Sequence, residues 1–267
     1  MNLKWGIFAG CINEGKLIEA KIQWALRLGM AVSITEGCHP NYKGPTDPNG
    51  LSADDTMEIL LSYSDQITYL PLGKVPHQLV LRNQAYKNLP KDLDVVIMSD
   101  IDEFYLEKDL NEIDQMYKRN KDLKLTPTNS YIFLDNTYCA SHIHHVDGGP
   151  VKFNKKWTFN LGQWHERIFR YNKFYSYDRS PFLINDLMGE FIFTSSAYFG
   201  EREILPTTYQ LHYKNFKMDE AKARHEMYKE RGDTADYDKE WDLLEKNKME
   251  YKGEHPIEIK RLMNNGK

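Results

Sequence analysis

The sequence predicts an α/β protein: an open, mainly parallel sheet flanked by helices, a mixed-strand second half and a helical carboxy-terminal tail. Three observations predict it. Strand-like and helix-like segments alternate through about the first hundred residues, the pattern of a doubly wound sheet. The run Val95, Val96, Ile97, Met98 is continuously apolar, as central strands covered on both faces are. Asn13 and Glu14, then Glu36, then Asp100 and Asp102 each follow a predicted strand, at the carboxyl ends where such sheets bind ligands.

In chain order, residues 5–9 form a short apolar strand. Leu17, Ile18, Ile22, Ala25 and Leu28 then recur near one helical face, which stops at Gly29, a suitable C′ residue. Residues 31–35 read as the second strand. Ser52, with Asp55 three positions on, starts a second helix containing Ile59, Leu60 and Leu61. Residues 67–70 are the third strand, and Pro76 suits the first turn of a helix running to about Asn88. Residues 94–99 are the fourth strand. Residues 123–215 are rich in β-branched and aromatic side chains, with turn signals at Asp147-Gly148-Gly149-Pro150 and near 178–181, so mixed strands extend the same sheet. From Asp219 the chain becomes highly charged, and Ala221, His225, Tyr228, Trp241, Leu244 and Met249 predict two helices packed on the body.

Composition narrows the function. A formal net charge of -4 provides no broad basic surface, which disfavours nucleic acid as a partner or acceptor. Cys11, Cys38 and Cys139 are odd in number and lack CxxC spacing, which fits a reducing compartment and argues against a disulfide scaffold or structural zinc. The amino-terminal apolar run is too short for a signal peptide, and no stretch approaches 18 apolar residues. The expected location is cytoplasmic, with any membrane contact peripheral. Tyr and Trp are plentiful and stack well on sugar faces, although such rings mostly serve cores.

The strongest chemical signal is Ser99-Asp100-Ile101-Asp102-Glu103-Phe104. In extended backbone, residues i and i+2 share a face, so Asp100 and Asp102 converge while Ile101 turns inward. Two close carboxylates repel unless a cation stands between them. Mg²⁺ or Mn²⁺ does so, and bridges to phosphate oxygens. The competing reading is a turn with solvated acids.

The segment from Asp94 to Phe104 resembles the metal-binding segment of GT-A-fold glycosyltransferases, especially family 2 and its relatives, in which an apolar strand precedes D-x-D-E. Asn13-Glu14 resembles the "NE" element beside the donor nucleotide, and Arg82-Asn83 resembles the "RN" helix before the DxD strand. The resemblance covers residues 3–105. It implies a GT-A catalytic domain over 1–218, with a nucleotide half at 1–105, an acceptor half at 106–218 and an extension at 219–267. It also implies a nucleotide-sugar donor, with UDP the commonest carrier, a divalent metal, and hexosyl or N-acetylhexosaminyl transfer to a hydroxyl with inversion. Asn13, Glu14 and Glu36 would lie near base and ribose, Arg82 near the nucleotide, and Asp100 and Asp102 at the metal and diphosphate. The family's later "ED" pair and "QxxRW" stretch are not intact here, so the base and the subfamily stay open.

Transfer also needs a group to take the acceptor proton. The run from Gln163 to Arg170 offers a carboxylate, a ring and two cations, which makes Glu166 the candidate base. An ion pair with Arg167 is its plainer reading, and Asp135, Asp186 and Glu190 are the other candidates. The resemblance assigns the late His212 to the metal shell, with Lys214 and Lys217 able to cover the diphosphate. His142, His144 and His145 lack a third ligand at zinc spacing. Two other functions compete. A sugar-phosphate nucleotidyltransferase would show a glycine-rich basic loop after the first strand, where this chain has Gly10-Cys-Ile-Asn-Glu-Gly15. A non-catalytic carbohydrate-binding protein would not need paired acids.

Overall fold

A computed structural model describes residues 1–40, 42, 44–123, 125–133, 137–141, 151–153, 156–158, 165–171, 175–177, 183–185, 190–193, 209–213, 246 and 248–265, some strand residues by backbone alone. The first half runs β1 (Trp5–Cys11), α1 (Gly15–Arg27), β2 (Ala31–Cys38), α2 (Thr56–Ser62), β3 (Thr68–Lys74), α3 (Gln78–Lys87) and β4 (Val95–Met98). β5 (Glu103–Phe104), α4 (Glu107–Arg119), β6 (Leu125–Phe133) and β7 (Tyr138–Ser141) follow. Then come β8 (Val151–Phe153), β9 (Lys156–Thr158), β10 (His165–Arg170), β11 (Tyr175–Tyr177), β12 (Leu183–Asn185), β13 (Glu190–Phe193), β14 (Tyr209–His212), β15 (Met249–Glu250) and α5 (Ile257–Asn265).

The sheet order is β3-β2-β1-β4-β10-β6-β7-β15. β1 to β4 are mutually parallel, and β10 lies antiparallel between β4 and β6. β14 runs parallel to β6 and antiparallel to β5. β8–β9 and β11–β13 form small separate sheets, so the second half does not simply extend the main one.

Two-residue alternation divides the central strands between two cores. Ile7, Ala9, Val95 and Ile97 pack with Ile18 and Ile22 of α1, whereas Phe8, Val96 and Met98 pack with Ala85 and Tyr86 of α3. Helices therefore cover both faces, as the unbroken apolar run of β4 requires. Complete burial of each β4 side chain contributes roughly 1.5–3 kcal/mol.

Local chemistry sets the boundaries. Gly29 adopts φ +72°, and Gly29 N–H bonds Leu26 O at 2.9 Å while Met30 N–H bonds Ala25 O at 3.0 Å, closing α1 as the glycine predicts. α2 begins at Thr56 rather than near Ser52, because the hydroxyls that could cap it are used elsewhere. Ser52 Oγ accepts from Asn13 N at 2.9 Å, and Thr56 Oγ1 accepts from Glu14 N at 2.7 Å. β3 tolerates Pro71 because it is an edge strand. The two expected tail helices fall mostly on residues 219–245, outside the described residues, and only Met249 is seen to differ. Met249 and Glu250 extend alongside β7, and α5 packs on α1, where Arg27 Nε meets Glu258 at 2.7 Å. Among the described residues no helix is long and apolar enough to cross a membrane.

The start of β1 is anchored by a single buried acid. Asp114 accepts from Leu3 N at 3.0 Å, Trp5 Nε1 at 2.9 Å and Asn2 N at 3.1 Å. Burial pushes this carboxyl up, but the Trp5 and backbone donors prevail and hold it below the ordinary 3.8. Its stabilisation is therefore complete above that value and is lost as pH falls through the lowered one. Asp114→Asn should cost about 2–3 kcal/mol in urea denaturation at neutral pH, since an amide nitrogen would face those donors, and the gap to the parent should narrow in acid.

Candidate functional site

The carboxyl end of β4 lies beside β1, where the strand order reverses, and its next residues form a turn. Asp100 and Asp102 do not occupy the extended backbone expected of them. Glu103 N–H bonds Asp100 O at 3.2 Å, and the Glu103 carboxylate accepts from Asp100 N at 2.9 Å, so the segment curls on itself. Asp102 nevertheless remains close enough to raise the proton affinity of Asp100, and Ile101 turns into the core as anticipated.

Cations hold this turn from several sides. Arg82 of α3 donates to Asp100 Oδ1 at 3.0 Å. Arg167 of β10 donates to Asp100 Oδ2 at 3.0 Å and to Glu103 Oε1 at 2.7 Å. Partial burial pushes the Asp100 carboxyl up, yet Arg167 and then Arg82 offset it and keep it well below the usual carboxylate range. Burial pushes the Glu103 carboxyl up against the pull of Arg167. Asp100 keeps 38% of its side chain exposed, so it faces solvent from within this clamp.

The late histidine arrives through strand pairing. β14 sets His212 opposite Glu103, and Tyr213 N donates to Asp102 O at 2.8 Å. His212 Nε2 thereby sits 3.1 Å from Asp102 Oδ2. Adjacent ligands in an octahedral shell with bonds of about 2.1 Å are about 3.0 Å apart, so these two atoms fit one edge of such a shell. His212 Nδ1 is buried with no partner. Among the described residues, no three His, Cys, Asp or Glu side chains are already gathered as a metal site.

The other expected nucleotide residues serve the neighbouring loop. Asn13 adopts φ 53°, a conformation that a short amide side chain tolerates. Its Oδ1 accepts from Ala53 N at 2.8 Å, and its Nδ2 donates to Pro45 O at 2.7 Å and to Tyr42 Oη. Glu14 occupies the N-cap position of α1 without a side-chain capping hydrogen bond. Glu36 is fully buried, with its oxygens accepting from Ser52 N at 2.8 Å and from the Tyr69 hydroxyl. Burial, then Glu36, raises the Tyr69 phenol above its ordinary value. These contacts tie Asn13 and Glu36 to the loop beside β1.

Glu166 and Glu190 are placed in β10 and β13 by their backbones only. Lys214, Lys217, Asp135, Asp186, His142, His144, His145 and Trp164 lie outside the described residues.

Two functional residues were missed by sequence reasoning. Arg167 was weighed only as a partner for Glu166, but it binds Asp100 and Glu103. Lys21 of α1 is buried and donates to Ser99 Oγ at 2.6 Å and to Glu103 O, directly behind the turn. A signal for it existed: Lys21 is four residues from both Leu17 and Ala25, on the apolar face of the predicted helix. Burial lowers its amine to about 7, although Glu103, Asp102 and Asp100 pull the other way.

No protein-family model matches the chain, and no curated protein is similar to it.

The Lys21 amine predicts a pH effect. Between about 7 and the ordinary 10.5, the unfolded chain binds a proton that the folded chain does not, so this group makes stability rise with pH over that window. Lys21→Met lacks the effect. Its stability relative to the parent should fall between about pH 7 and pH 10 in paired denaturation curves, and parallel curves would contradict the lowered amine.

Proposed function

We propose that this chain is a divalent-metal-dependent glycosyltransferase of the GT-A type, moving a sugar from a nucleotide-sugar donor, a UDP-sugar in the first instance, to an acceptor hydroxyl with inversion. The observation that carries the reading is the meeting of His212 with Asp102, 3.1 Å apart, at the strand-order reversal where open sheets bind nucleotides. These residues are distant in sequence, and an ordinary surface turn has no need of a histidine held beside its acid with only 12% of its side chain exposed.

Asp102 and His212 would hold Mn²⁺ or Mg²⁺, with the exposed Asp100 next to them. Their hard oxygen and imidazole donors, spaced as one edge of an octahedral shell, suit such an ion. When bound, the metal supplies positive charge that stabilises the departing diphosphate. For Nε2 to serve as a ligand, His212 must be neutral with its proton on Nδ1. Arg82 and Arg167 orient Asp100, and Arg82 is positioned to share the nucleotide's charge. Glu166, adjacent to Arg167 in β10, is the candidate to take the acceptor proton.

Asp102→Asn should abolish Mn²⁺-dependent binding of UDP or GDP without unfolding the chain, since loss of one of two clustered acids relieves repulsion. In the parent, nucleotide at 100 times its dissociation constant should stabilise by about 2.7 kcal/mol, readable as a thermal shift. Equal nucleotide affinity in parent and variant, with and without Mn²⁺, would refute the assignment.

A further inference from the structure

Lys21 presents a physical puzzle. It belongs to the buried face of α1, among Leu17, Ile18, Ile22, Trp24 and Ala25, and its amine lies 4.8 Å from the Trp24 ring and 4.6 Å from the Phe104 ring. A methionine would fill that slot without desolvating an amine. The amine is distinguished by the atoms it holds. It donates to Ser99 Oγ at 2.6 Å and to the Glu103 carbonyl, and Ser99 Oγ in turn donates to the Asp100 carbonyl at 2.9 Å. It thus grips both ends of the turn that carries Asp100 and Asp102. Ser99 N on the Phe8 carbonyl at 3.1 Å and Tyr213 N on the Asp102 carbonyl at 2.8 Å hold the same backbone from other sides.

We infer that Lys21 is a positioning residue: it clamps residues 99 and 103 to α1 so that Asp100 and Asp102 stand in their ligand-binding arrangement. The ligand part of this inference rests on the proposed metal–nucleotide site, whereas the clamp itself does not. α1 begins just after Asn13 and Glu14, so the same helix ties the loop beside β1 to the acidic turn.

The test uses the full chain as parent, Lys21→Met and Ser99→Ala. Amide exchange is read at Asp100 and Glu103, whose N–H groups bond within the turn, and calorimetry reads UDP binding in Mn²⁺. Lys21→Met should remain folded at neutral pH, though less stable than the parent because two buried oxygens lose their donor. It should lose protection at those two amides and bind Mn²⁺–UDP about tenfold more weakly, the scale of one charge-assisted hydrogen bond. Ser99→Ala should show the same local loss to a smaller degree, and it decides the question if Lys21→Met does not fold. Unchanged protection at Asp100 and Glu103 would overturn the inference, as would a uniform loss of stability with unaltered affinity, the mark of a purely structural lysine. Tighter Mn²⁺ binding by Lys21→Met would also overturn it, by showing that the amine acts as a competing charge. If the parent binds no Mn²⁺–UDP, the proposed function fails while amide exchange still decides the role of Lys21.

Discussion

Charge compensation at one turn governs this molecule. Asp100, Asp102 and Glu103 stand together behind the most buried strand of the sheet, and an uncompensated carboxylate there would cost several kcal/mol. Lys21, Arg82 and Arg167 answer them, each from a different element: α1, α3 and β10. The placement of those elements around β4 is therefore tied to the acids as well as to apolar packing. Phe8, Tyr86 and Phe169 supply the packing on the α3 side, with ring centroids 5.2 and 6.1 Å from Phe8. An exchange of any one of these charges is therefore expected to act first on the turn itself.

The half of the fold built from consecutive β-α units was legible because its signals are local. Unbroken apolar runs marked β1 and β4, Gly29 marked the end of α1, and the paired acids stood where parallel strands end. Sequence spacing also drew attention to His212, although only through family resemblance, and strand pairing with β5 is the physical reason it reaches Asp102.

What escaped was long-range. Arg167 lies on an antiparallel strand inserted beside β4, an event with no local signature, so its natural reading was as a neighbour's ion-pair partner. Lys21 interrupts an apolar helical stripe, a signal that counts against burial until the acids behind it are known. Ser52 carried the right residue type for a helix start but spends its hydroxyl on the backbone of Asn13. Glu36 looked like an edge ligand because it follows the strand predicted at 31–35, whereas β2 runs on to Cys38. The two Glu36 oxygens are satisfied by Ser52 and Tyr69 within the wall of the loop.

The insertion of β10 between β4 and β6 bears on biosynthesis. A ribosome delivers β1 to β4 and all three acids long before Arg167, and His212 later still. Until β10 enters, β4 has no neighbour on one side and the acids lack their strongest counter-ion. The nascent amino-terminal half thus has an open sheet edge and an incomplete polar cluster, and it cannot close as an independent unit. Native structure waits for the strand that repairs both defects at once, so chains truncated before residue 165 should be captured by chaperones.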